Sequence, residues 1–210
     1  MGRLERRQRQ KDEVYESILE AAWKLVKEEG WQGLSIRKIA EAIEYSIPVI
    51  YDHFENKEAI LREFTKKGFV LLNDKLTTAA GANQEPVMSL RAVASAYWNF
   101  AVTYPEYYHL MYGMGMPGCE MVNEMPEVKA LTVTLGRAIE MLYPDKSISA
   151  AEGLVKMKSF WSMLHGLVSI QMMSQERTTT DITSPVLAES VNNFLAGIRF
   201  KTSPDQGRIR

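Results

Sequence analysis

Ser35-Ile36-Arg37-Lys38-Ile39-Ala40-Glu41-Ala42-Ile43, Glu44-Tyr45, Ser46-Ile47-Pro48-Val49-Ile50-Tyr51-Asp52-His53-Phe54 and Asn56-Lys57-Glu58-Ala59-Ile60-Leu61 make up the stretch whose reading decides the fold. Ser35 is placed to cap a short helix whose inner face is Ile36, Ile39, Ala40 and Ile43. Glu44-Tyr45 breaks it. Ser46 is placed to cap a second short helix, with Pro48 tolerated in a first turn whose N–H groups lack intrahelical partners. Asn56 is a third candidate cap, followed by Glu58 near the positive helix end. Isolated helices under about 12 residues are marginal in water, so the two short ones need neighbours to lean on. A preceding helix, about Asp12 to Glu29, offers Val14, Ile18, Ala22, Leu25 and Val26, and Gly30 is suited to end it in a left-handed conformation. The helix after Asn56 offers Ile60, Leu61 and Phe64. These dimensions are those of a helix-turn-helix on a three-helix core.

The second short helix displays an unusual surface. Ile50 and Phe54, four apart, face inward, which leaves Ile47, Pro48 and Val49 near the outer tip. A duplex groove accounts for apolar side chains there, because they pack on thymine methyls. Tyr51 and His53 are suited to donate to phosphate oxygens, and Lys57 adds a charge at a helix N-terminus.

Outward from this stretch the pattern stays helical, about nine helices in all with no alternating strand signal, so the fold class is all-α. Gly81 to Glu85 is a polar boundary ending in Pro86, a good helix-start residue. Helices are expected over about Val87 to Tyr104, Pro105 to Tyr112, Glu127 to Tyr143, Ser149 to Ser174 and Pro185 to Arg199. Gly113 to Gly118 and Arg177 to Thr183 read as loops, and the tail from Lys201 as frayed. The expected organisation is a basic arm over 1–11, a head over 12–65, a helical body over 66–200 and a polar tail over 201–210.

Composition removes several alternatives. Twenty-five Lys and Arg against 26 Asp and Glu leave a net charge of −1, so an attraction to nucleic acid has to come from a local patch. The single Cys119 closes no internal disulfide and builds no cysteine-type zinc site. No apolar run approaches bilayer length, and the N-terminus lacks the apolar core of a secretory signal, so a cytoplasmic location is expected. His109, His165, Cys119 and Glu120 have no diagnostic metal spacing. An enzyme reading needs a nucleophile–base pair or metal cluster that three scattered histidines do not supply. No catalytic residue, metal or cofactor is expected, and no membrane partner.

Taken together, Leu34 to Ala40, Ser46 to Tyr51, His53-Phe54 and Asn56 to Leu61 resemble the DNA-binding half of the TetR/AcrR family of bacterial repressors, over about residues 10 to 65. The resemblance implies that Arg37 reaches DNA from the second helix, with Ser35 capping that helix near the backbone beside Lys38. It implies base-contacting positions for Ile47, Pro48 and Val49, next to Ser46, and phosphate contacts for Tyr51, His53 and Lys57. One departure is Glu44, where the family usually has Gly: either Glu44 adopts positive φ, at a cost of roughly 1 kcal/mol, or the turn has another shape. Arg3, Arg6, Arg7, Arg9 and Lys11 against Glu5 make a basic arm that is either a DNA-touching extension or a solvated terminus.

The family pairs this head with a helical body that binds a small molecule and dimerises. Pro105 to Met111 and Phe160 to Gly166 resemble a body type with a Trp-His-Gly signature. Eleven of the twelve methionines lie from Met88 onward, among many aromatics, which suits a compliant cavity for a hydrophobic or aromatic effector. Tyr97, Trp98, Tyr108, Met111, Met114, Trp161 and His165 are the expected pocket residues, although each is equally at home in a core. The last two helices are apolar around much of their circumference, and Gly166, Ser169, Phe194 and Gly197 are expected at a homodimer interface. Two reading helices about 34–36 Å apart then call for a palindromic operator on double-stranded DNA.

Overall fold

The computed structural model describes residues 2–112, 125–143, 148–173 and 183–202. The 113–118 loop, Met114, Cys119, Glu120, the polar stretch 177–182 and the tail from 203 lie outside the described residues. Among the described residues the chain has nine helices and no strand: α1 Arg3–Gly33, α2 Ile36–Ala42, α3 Ile47–Tyr51, α4 Lys57–Gly81, α5 Pro86–Thr103, α6 Pro105–Met111, α7 Pro126–Glu140, α8 Ala150–Met173 and α9 Thr183–Thr202.

Local chemistry explains most boundaries. The Ser35 hydroxyl accepts from the Lys38 N–H at 3.2 Å, and Asn56 Oδ1 accepts from the Ala59 N–H at 2.8 Å, so both caps form as the sequence predicts. Ser46 stands at the start of α3 but makes no side-chain capping bond; only its carbonyl is used, by Val49 N–H at 3.0 Å. Pro86 opens α5, and the preceding Glu85 carboxylate accepts from Val87 and Met88 N–H groups at 3.0 and 2.7 Å. Gly30 has φ 72° and breaks the long first element as expected. At the turn between α2 and α3, Glu44 adopts φ 59°, so the left-handed alternative is the one realised. The clearest difference is at the N-terminus, where the segment read as an arm is part of α1. Good helix formers fill it, and Glu5 accepts from the Gly2 N–H at 2.8 Å.

The chain divides into two compact units. The first contains Met1–Gly68 together with Tyr104–Val122, so its division from the body falls a few residues after the expected position, and α6 belongs with the head. Its core is centred on Ile18, Ala22, Ile39, Ile50 and Ile60, all fully buried. α6 adds Leu110 to this core, stacks Tyr107 on Trp23 at 4.3 Å, and accepts the Trp31 indole N–H on the Glu106 carbonyl at 2.7 Å. Lys27 pairs with the Glu106 carboxylate at 3.1 Å. Close approach of α4 to α6 requires Gly68: a Cβ there would lie 2.6 Å from Met111 Sδ.

The second unit, Phe69–Thr103 with Asn123–Arg210, packs α5 against α7, α8 and α9, and α8 against both α7 and α9. Tyr97, Leu90, Leu131, Leu135 and Phe160 are fully buried within it. No helix among the described residues is long and apolar enough to cross a membrane.

Candidate nucleic-acid interface

α3 is a five-residue helix, too short to persist alone, and its rigidity comes from two anchors. Ile50 is fully buried and Phe54, 4% exposed, stacks on Tyr15 of α1 at 4.9 Å. With those side chains turned inward, Ile47 is left 42% exposed and Tyr51 52% exposed, with Pro48 and Ser46 also exposed beside them. The Ser46 hydroxyl, not used as a cap, is available at this tip. Val49 departs from the outer-tip expectation. It is half-buried against the head core, because the turn that buries Ile50 carries its neighbour partly inward.

The charged side chains expected at DNA stand on α2 and at the start of α4. Arg37 on α2 is exposed, and its Nε–H donates to Glu41 Oε1 at 2.8 Å, a hydrogen bond and charge pairing that raise the guanidinium pKa further. Lys38 is ion-paired to Glu29 of α1. Lys57 donates to the Trp31 carbonyl at 3.4 Å and so is held at the first turn of α4. His53 is half-buried, its ring 6.5 Å from that of Tyr15. Burial, and then the nearby Glu63 carboxylate, raise the Tyr15 hydroxyl pKa, so Tyr15 stays neutral at physiological pH. Tyr45 was read from sequence only as part of a break. It is 45% exposed immediately before α3, and an aromatic residue at a helix-turn-helix turn was the available signal.

In the second unit, Tyr97 and Trp161 come together, the Trp161 indole N–H donating to the Tyr97 hydroxyl at 3.3 Å. Trp98 is half-buried, as is His165, whose ring lies 3.4 Å from the Ser169 hydroxyl and whose pKa is lowered by burial. Tyr108 and Met111 are buried in the first unit. A groove of 480 Å³ runs between Val70, Asn73, Asp74 and Thr77 of α4 and Pro126, Glu127 and Ala130 of α7. Among the described residues, none of those expected around an effector lines this groove. Glu127 Oε2 is buried there without a hydrogen-bond partner among the described residues, and Asn73 Oδ1 accepts from the Thr134 hydroxyl at 2.7 Å. On the last two helices, a Cβ at Gly166 or Gly197 would meet nothing within 4 Å, and Phe194 packs on Phe160 at 5.1 Å. Val155, Ile170 and Met173 of α8 are 62%, 67% and 75% exposed.

The two halves have separate counterparts among known proteins. Residues 18–64 match the family described as "Bacterial regulatory proteins, tetR family", and residues 90–191 match "Tetracyclin repressor-like, C-terminal domain". The chain belongs to the TetR family of DNA-binding transcriptional regulators. An HTH-type transcriptional regulator of Mycobacterium tuberculosis is 25% identical over 191 residues, covering 90% of this chain and 83% of that relative. Among solved structures, FadR from Bacillus subtilis in complex with stearoyl-CoA superposes with a TM-score of 0.68 at 16% identity, over 87% of this chain and 98% of that one. AibR in complex with isovaleryl coenzyme A and operator DNA superposes at 0.61 with 19% identity, over 85% and 96% of the two chains. These two likenesses establish the fold.

Proposed function

We propose that this protein is a homodimeric repressor in the bacterial cytoplasm, released from a palindromic operator by a small effector with an apolar body. The observation that carries the DNA half of this reading is the tip of α3. Ile47, Pro48, Ser46 and Tyr51 stand exposed on a five-residue helix whose Ile50 is fixed in the core. Ile47 and Pro48 read thymine methyls and groove shape, while Tyr51, His53 and Lys57 hold the phosphates. Arg37 exchanges its solvent-exposed partner Glu41 for DNA. Ser35 and Lys38 position the start of α2 by the backbone.

The exposed apolar side chains of α8, with open space at Gly166 and Gly197 and with Ser169 and Phe194 alongside, support pairing of the last two helices with those of a second copy. The groove in the second unit supports an effector with an apolar body against Val70, Pro126 and Ala130, and a hydrogen-bond donor for Glu127. Tyr97, Trp98, Trp161 and His165 form the aromatic interior that would adapt to it. FadR and AibR, which share this fold, hold stearoyl-CoA and isovaleryl coenzyme A, and an apolar-bodied effector fits with that. Release requires the effector to bind the DNA-incompetent state more tightly than the competent one, with α4, which has residues in both units, as the coupling element.

The test is binding of labelled duplex fragments that the protein retains from sheared genomic DNA. Lys57→Ala combined with Tyr51→Phe should weaken every sequence alike, by tenfold or more, and reduce the salt slope by about 0.9 per head, the share of one phosphate. Undiminished binding by this variant would remove the assigned contacts and with them the reading.

A further inference from the structure

The basic N-terminal segment is absorbed by none of the roles above. Its residues Arg6, Arg7, Arg9 and Lys11 are all exposed, and Val14 is the first side chain of α1 to be buried. The structure adds three observations to the sequence. First, the segment is helical and continuous with the packed part of α1, so its charges are fixed relative to the head. Residues 3–13 project by about 16 Å at 1.5 Å per residue. Second, two of these basic side chains share the face of α1 that packs on the head. Arg7 and Lys11 continue, at helical steps of four and three, the row of Val14 and Ile18 that packs on the head core. Glu5, Asp12 and Glu16 fall on the opposite face, with Arg9 among them, and no acidic side chain lies on the row itself. Third, the point of exit is defined. Tyr15, next to this row, stacks on Phe54 at 4.9 Å and lies 6.5 Å from His53, just past the end of α3. The helix therefore leaves the head beside the reading helix, with its basic row on the side where α3 packs.

We propose that this projection is a second DNA-contacting element: Arg7 and Lys11 lie against backbone phosphates of the duplex flanking the bases that α3 reads. Charge complementarity and continuity with the reading head identify the partner as duplex DNA, and the positive end of the α1 dipole adds to the attraction. The projection spans about five base pairs at 3.4 Å each, so it touches sequence outside the half-site and adds affinity without base discrimination. This inference rests on α3 being the reading helix.

The test uses the full-length protein and an Arg7→Ala/Lys11→Ala variant, whose fold is checked by circular dichroism because both side chains are exposed. Each is titrated, over a range of salt, into a labelled duplex retained from genomic DNA and into the same duplex trimmed by about five base pairs at each end. The variant should bind the long duplex roughly tenfold more weakly, with its log–log salt slope lowered by about 1.8 per head for two phosphates. On the trimmed duplex the two proteins should be equal. Equal affinity and slope on the long duplex, with binding still lost in the Lys57→Ala/Tyr51→Phe variant, would make the projection a solvated terminus while the reading of α3 stands. If neither variant lost binding, the reading of α3 and this inference would fall together.

Discussion

Glu44 occupies a conformation, φ 59°, that costs a side-chain-bearing residue about 1–2 kcal/mol. Glycine escapes that cost but loses about 0.4–1 kcal/mol through its freer unfolded chain. Glu44→Gly should therefore stabilise the head by about 0.5–1 kcal/mol, raising Tm by roughly 1–4 °C in calorimetry. A lowered Tm would mean that the Glu44 side chain makes a contact worth more than its strain. His165 is governed by a different term, burial, which lowers its pKa from the ordinary 6.5. The unfolded chain then binds the proton more readily than the folded one, so stability is full above about pH 6.5 and declines as pH falls below it. Thermal unfolding between pH 7.5 and 5 should show that decline, and His165→Gln should make it shallower; an identical profile in the variant would remove His165 as its source. At this scale the sequence was most legible where a side chain bonds its own backbone. Ser35 and Asn56 cap as read, because three-residue spacing fixes those contacts. Ser46 has the same local signal but an exposed setting, and no spacing rule distinguishes a hydroxyl used as a cap from one left for another partner.

Among elements, α2 and α3 could be placed from sequence because the apolar spacing of Ile39, Ala40, Ile50 and Phe54 admits only one buried face. The membership of α6 in the head could not. Its link to α1 joins Trp31 to Glu106 and Trp23 to Tyr107, pairs far apart in the chain, and local periodicity carries no information about such partners. Leu110, 3% exposed in the head core, makes the consequence measurable. Leu110→Ala should cost about 2–5 kcal/mol, the usual range for truncating a buried leucine. The loss should appear as faster amide hydrogen exchange in α1 to α3, in addition to a lower Tm. Protection unchanged in those helices would show that α6 is only peripheral to the head. The helical state of the N-terminal segment is hard to read for the opposite reason: a charge run suits a DNA-touching extension and a solvated terminus alike, while the helix propensity of Arg, Leu, Gln and Lys and the nucleus supplied by the packed part of α1 favour a helix.

For the whole molecule, fold class and family followed from the head, because a helix-turn-helix is a local motif with fixed spacing. The effector region did not follow. Methionine and aromatic residues fill cores and cavities alike, so Tyr97 and Trp161 stand out in the sequence although they pair with each other away from the α4–α7 groove, whose lining (Val70, Asn73, Thr77, Pro126, Ala130) carries no such signal. The proposed pairing of copies belongs at this scale too. Gly166→Arg places a long charged side chain where nothing now stands within 4 Å, so the monomer should fold with little change in Tm. Analytical ultracentrifugation should then show monomers where the parent shows dimers, and DNA binding should drop by at least tenfold with the loss of the second head. A variant that remained dimeric would place the interface elsewhere.

If Ile47 and Pro48 read the groove as proposed, their hydrocarbon character also determines what kind of chemical change in DNA the protein can sense. A reader of this type responds to the presence of a 5-methyl group more than to the identity of the ring that bears it. Uracil in place of thymine should look to it like a mismatch, and cytosine methylated at carbon 5 should look partly like thymine. Enzymes that methylate the genome could thus redirect such a regulator without altering a single base pair.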